Sequence, residues 1–140
     1  MKRNHLRKAI STILFIAVTI TAISSVVSAL FEPLYQNITV LAGGLSIDSN
    51  GLATASGSVT PSNSNSTTTL TVELQRQSGN SWLREASWSN SGSGTRTIAQ
   101  QGQRFVVRGT YRVVATAVVR CSSTNTILEI ASRISHEVTH

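Results

Sequence analysis

In the stretch TTTLTVELQRQ, Leu70, Val72 and Leu74 alternate with Thr71, Glu73 and Gln75. An apolar residue at every second position gathers the apolar side chains on one face of an extended chain, so this stretch predicts a half-buried strand. The same period returns in GTYRVVATAVVRC. There Tyr111, Val113, Ala115, Ala117 and Val119 share one face, and Arg112, Val114, Thr116, Val118 and Arg120 the other. Weaker strands are predicted in NITVLAGGLSID, LATASGSVT, WLREASWS, TRTIAQQ and TILEIASRIS. Turn signals separate them: SNG at 49–51, PSNSNS at 61–66, QSGNS at 77–81, NSGSG at 90–94 and SSTN at 122–125. Gly and Asn accept the backbone conformations that tight turns require. Some ~7 short strands punctuated in this way predict an all-β chain folded as an antiparallel β-sandwich, with one face of most strands buried and one wet.

The N-terminus follows a different pattern. MKRNHLRK is basic, and AISTILFIAVTITAISSVV after it is an unbroken run of apolar and hydroxyl residues ending in Val27-Ser28-Ala29. This predicts a secretory signal peptide, helical in its apolar part, cleaved after Ala29, and a secreted, extracellular product. If the segment is retained, the run from Ala9 to Leu30 is long enough to span a bilayer and holds the rest at the cell surface; no other membrane contact is expected. The chain then divides into a signal peptide at 1–29, an irregular leader at 30–37 broken by Pro33, and a sandwich domain at 38–140.

Export changes the charge argument. The net charge of +6 includes Lys2, Arg3, Arg7 and Lys8, and their removal leaves +2. A basic pI of about 10.8 is therefore largely the leader's, and no nucleic-acid partner is expected. Cys121 is the only cysteine, so an intrachain disulfide is excluded. Its parity with Tyr111 predicts a mostly buried thiol without a structural partner, in a chain expected to be a monomer. Stability has to come from the apolar core and the sheet hydrogen bonds.

GTYRVVATAVV carries a further signal. A Gly-x-Tyr opening a late strand resembles the tyrosine corner of immunoglobulin-like domains, in which the Tyr hydroxyl closes a loop onto the backbone. That resemblance gives structural roles to Tyr111, to Trp82 as the core Trp, and to Leu70, Val72, Leu74 and Val113. It departs from antibody domains at the inter-sheet disulfide, whose place hydrocarbon takes. The set TLTVELQRQ, WLREASWS, GTYRVVATAVV and Glu129 is also similar to a group of uncharacterised small exported proteins of Gram-positive bacteria. These have a signal peptide, a single immunoglobulin-like sandwich and the spacing W…W…GxYR…E. The resemblance covers residues 40–135. It implies an immunoglobulin-like fold and an exported location, and it implies no activity.

Several residues are candidates for chemistry. His136 to His140 read HEVTH, the H-E-x-x-H pattern of zinc hydrolases. That chemistry needs a helix, so that both histidines face one metal and Glu137 polarises its water. Ile127, Ile130, Ala131, Ile134 and Val138 do fall on one helical stripe, and Thr126 with Glu129 fits a capping box. The β-branched composition instead favours a last strand, with Leu128, Ile130 and Ile134 inward. No third ligand lies downstream, so HEVTH is read as a polar tail and neither metal nor cofactor is expected. Glu73 and Glu85 are read as solvent-facing strand charges near Arg76 and Arg84 rather than as a catalytic pair. Asn37-Ile-Thr39 and Asn65-Ser-Thr67 fit glycosylation sequons at the frequency this composition gives by chance.

Arg108, Arg112 and Arg120 share parity and predict an outward row, read first as ordinary solubility charge and in the alternative as a grip on polyanions; Trp88 shares the parity of Trp82, so it is either core or, where it emerges near the strand end, an added surface for sugar. The reading that results is an exported, non-enzymatic binding or structural module, whose partner is a cell-wall polymer, a glycan or a protein. A carbohydrate- or polyanion-binding domain built on the arginine row is the alternative, and a zinc hydrolase the remote one.

Overall fold

A computed structural model describes residues 34–140. The signal-peptide reading and most of the 30–37 leader lie outside the described residues. The chain forms β1 (Ile38–Ile47), β2 (Leu52–Pro61), β3 (Ser66–Ser78), β4 (Ser81–Ser93), β5 (Ile98–Phe105), β6 (Thr110–Cys121), β7 (Ile127–Ile134) and the short β8 (Val138–Thr139). β1, β2 and β5 make one antiparallel sheet in the order β1-β2-β5. The other runs β4-β3-β6-β7, with β8 pairing the start of β6. The all-β, antiparallel sandwich expected from the period-two pattern is therefore the fold. The strand order is immunoglobulin-like, except that the fourth strand pairs with the third instead of the fifth.

The strongest alternations hold without a slip. Leu70, Val72 and Leu74 on β3 are fully buried, as are Val113, Ala115, Ala117 and Val119 on β6. They meet Leu41 and Leu45 from β1, Ala53, Ala55 and Val59 from β2, and Ile98 from β5. The turn signals also hold: Gly51 and Gly79 take positive φ at the β1–β2 and β3–β4 hairpins. NSGSG is not wholly a loop, because β4 continues through Ser93. Opposite it, Asn90 to Ser93 pair with Leu70 to Thr67.

The sheets touch closely where small residues meet. A side chain at Gly57 would come within 2.7 Å of the Val72 Cγ2, and one at Gly43 within 3.3 Å of the Ala115 Cβ. At Gly102 on β5 a Cβ would overlap the ring of Trp88. Trp88 thus fills the interior over a bare stretch of β5 and packs against the core. This decides the role of one tryptophan and corrects that of the other. Of the two readings of Trp88, core and sugar-binding surface, the core one holds; Trp82, expected as the core Trp, lies half-buried on the outer face. The cause is a β-bulge. Leu74 pairs with Ala86 and Gln75 with Arg84, which leaves Glu85 unpaired. One extra residue reverses the facing of every residue before it on β4.

Two further expectations are overturned at the C-terminus. β7 is a strand, but Ile130 and Ile134 are exposed and Leu128 is largely so. A register shift leaves Leu128 out of the pairing, after which Ala131 faces the core. Glu129 shares that inner parity, and its carboxylate accepts the backbone N–H groups of Gln36 and Asn37. The HEVTH segment, expected as a loose tail, is pinned instead. Val138 and Thr139 pair with Tyr111 and Thr110, and His140 exchanges two backbone hydrogen bonds with Gly109 at 2.9 and 3.2 Å.

Candidate functional site

The outer face of the five-stranded sheet carries the most organised polar array. Its geometry follows from the Glu85 bulge, which turns Trp82 and Arg84 outward beside Gln75 and Gln77 of β3. Arg112 of β6 lies opposite Gln75. Its guanidinium carbon sits 4.1 Å from the centroid of the Trp82 ring. A cation held over an indole face at an exposed site is worth about 0.5–1 kcal/mol. Arg112 Nε donates to Gln75 Oε1 at 2.9 Å, and Gln75 Nε2 donates to Glu73 Oε1 at 2.6 Å. Glu73 Oε2 is 3.8 Å from Arg84 Nη1. Each end of the Gln75 amide thus has a fixed partner, and the sequence Trp82–Arg112–Gln75–Glu73–Arg84 forms one polar line across three strands.

This array holds cations in place without consuming them. Arg112 uses Nε toward Gln75, so its terminal N–H groups remain for an anion; Arg84 is mostly solvent-exposed and engages Glu73 only at long range. Next to the array run paired hydroxyls: Thr71 with Ser89 at 2.9 Å, Thr69 with Ser91 at 3.0 Å, and Thr116 with Ser132 at 2.9 Å.

The predicted arginine row is not brought together. Arg112 and Arg120 share the outer face of β6, but eight residues of strand put them about 27 Å apart. Val114, Thr116 and Val118 stand between them. Arg120 Nη1 donates to the Asn125 carbonyl instead, and Arg108 lies exposed in the loop before β6. Only Arg112 of the three belongs to the array. Sequence reasoning missed Arg84, Gln75 and Trp82 there because the bulge that aligns them has no residue signature of its own.

Tyr111 is where its resemblance to a tyrosine corner places it. It is 1% exposed, and its hydroxyl donates to the Val107 carbonyl at 2.8 Å. Burial pushes its pKa up, helped by Glu85, while the nearby Arg76 opposes the shift. Cys121, at the rim end of β6, is half-buried and free, not mostly buried as its parity suggests. Its Sγ lies 3.3 Å from Ser123 Oγ. Hydrogen bonds from the Ser123 and Thr124 hydroxyls, and from their backbone N–H groups, bring the thiol down to about 6.

No helix carries HEVTH: His136 lies in the connection from β7 to β8, and His140 follows β8. Four extended residues span about 13 Å, against one helical turn in the zinc motif. Among the described residues no three or more His, Cys, Asp or Glu cluster at metal-holding distance. Two shallow depressions lie away from the array. One, of about 320 Å³, is lined by Ala42, Gly43, Gly44, Ser56, Gly57 and Ser58. The other, of about 400 Å³, lies between Asn90–Ser93 and Arg96–Ala99.

Fold and array together define an immunoglobulin-like β-sandwich domain with a cation-bearing outer face. No protein-family model matches the chain, and no curated protein matches it.

Proposed function

We propose that the protein is an exported, non-enzymatic module that acts outside the cytoplasm as a structural and binding domain. The order of its parts carries this reading: a basic stretch at 2–8, an apolar run at 9–30, the small residues Val27-Ser28-Ala29, and then a self-contained sandwich. The test is protease shaving of intact cells together with intact mass of the recovered protein. The expected result is a cell-exterior protein whose mass begins at Leu30. A mass that keeps residues 9–30 moves the module to the membrane surface, and a protein found only in the cytosol overturns the reading.

The polar line on the outer sheet favours a second reading, recognition of an acidic polysaccharide. Carboxylates match the terminal N–H groups of Arg112 and Arg84, and Gln75 and Trp82 hold Arg112 in one orientation before any ligand arrives. Binding to a panel of acidic and neutral polysaccharides checks it. Arg112→Ala and Trp82→Ala should each lose acidic-polymer binding while circular dichroism stays that of the parent. Equal binding by both variants would sink the idea.

A further inference from the structure

We propose that the free edge of β7 is a self-pairing surface, and that its occupant is β7 of a second copy of this chain. Along this strand the side chains on the outer face are Ile130, Ser132 and Ile134. Ile130 is 59% and Ile134 53% exposed, an unusual state for two isoleucines on one strand. β7 ends its sheet, with β6 on one side and no strand on the other among the described residues. An unpaired edge bearing apolar side chains is a template for another strand.

The main chain and side chains both specify the partner. Ser135 N–H donates to the Val113 carbonyl and the Ser135 hydroxyl accepts the Val113 N–H, so the Ser135 N–H is turned toward β6. Alternation from there turns the N–H and C=O groups of Ile134, Ser132 and Ile130 toward the free edge. Those three residues are a palindrome: Ile, Ser, Ile about Ser132. A two-fold interface requires a surface complementary to itself, and an antiparallel strand palindrome meets that condition. Of the registers that let edge-facing residues bond each other, the one centred on Ser132 sets Ile130 against Ile134 of the second copy on both sides. The same arrangement already exists inside the molecule, where Val118 opposes Ile130, Thr116 opposes Ser132 and Val114 opposes Ile134. The pairing repeats that apolar–hydroxyl–apolar pattern one strand further out. It also places Arg133 against the small Ala131 of the second copy, on the diagonal to its Glu129. The two five-stranded sheets become one continuous sheet, with Val114, Val118, Ile130 and Ile134 of the two copies forming two apolar rows on either side of a central row of Thr116 and Ser132 hydroxyls.

Disulfide trapping in the full chain tests both the contact and its register. In a Cys121→Ser background, Ser132→Cys supplies the only thiol. At the two-fold centre its copies lie about 5.5 Å apart between Cα atoms, within the span of a disulfide. Mild oxidation should give a dominant covalent dimer on a non-reducing gel. Ile130→Cys or Ile134→Cys alone puts like thiols about 14 Å apart and should stay monomeric, whereas a mixture of the two should cross-link as a heterodimer. A Ser132→Cys protein that remains monomeric overturns the proposal. So does equal cross-linking of all three single variants, which is the signature of random collision.

Discussion

Tyr111 does two jobs with one side chain: its ring fills the end of the core and its hydroxyl ties down the loop that enters β6. Tyr111→Phe keeps the ring and removes the tie, at an expected cost of about 1 kcal/mol, whereas Tyr111→Ala should cost several times that. The hydroxyl also sets an alkaline limit. A phenol whose folded pKa is raised contributes stability below its unfolded value near 10, and that contribution is lost as pH rises through the folded pKa. Urea titrations from pH 8 to 11 should show stability falling at the top of the range. The fall should flatten in Tyr111→Phe, and an unchanged slope there would assign it to other groups. Cys121 is the second case of a residue set by neighbours a few atoms away. With its thiol at about 6, alkylation by iodoacetamide should reach half its maximal rate near pH 6. Unfolding in urea should move that midpoint up toward the ordinary thiol range of about 8.5.

At the scale of elements, β8 turns an expected tail into part of the sheet. Val138 packs on the core, and the exchange between His140 and Gly109 locks the same loop that Tyr111 closes. Removing residues 136–140 should therefore lower stability by about 1–3 kcal/mol, measured by chemical denaturation, with no response to added zinc in either form. A truncated chain as stable as the parent would show β8 to be ornamental. The elements also show what a sequence can and cannot tell. β3 and β6 were legible because both are central, and burial of one whole face leaves a strict alternation behind. β4 and β7 lie at sheet edges, where burial is partial and the alternation weak. Each also contains an extra residue, Glu85 and Leu128, and parity counted across an extra residue comes out inverted. Trp82, Ile130 and Ile134 are assigned to the wrong face for that one reason. The polar line on the outer sheet inherits the same difficulty, since Trp82 and Arg84 reach it only through the Glu85 insertion. A strand therefore has something like a reading frame, and Glu85 shifts it. Deletion of Glu85 should drive Trp82 inward and empty the stack on Arg112, which loss of the Trp82–Arg112 fluorescence signature would register.

For the molecule as a whole, the two sheets approach each other through glycine and alanine. Gly102→Ala is the sharpest probe, since the added methyl meets the Trp88 ring with neither sheet free to retreat. A loss of about 1–3 kcal/mol is expected, with partial relief when Trp88→Leu is combined with it. Additive losses in that double variant would place the strain elsewhere. The order of the sheets has a consequence in time. β3 lies between β4, its neighbour in sequence, and β6, which begins only at Thr110. Until β6 is available, one edge of β3 is unpaired and the sandwich cannot close. The hairpins can form early, but the cooperative step waits for the last third of the chain, the slow route of non-local pairing. A polypeptide built this way stays threadable until nearly all of it has been delivered, a delay that suits the export proposed for it.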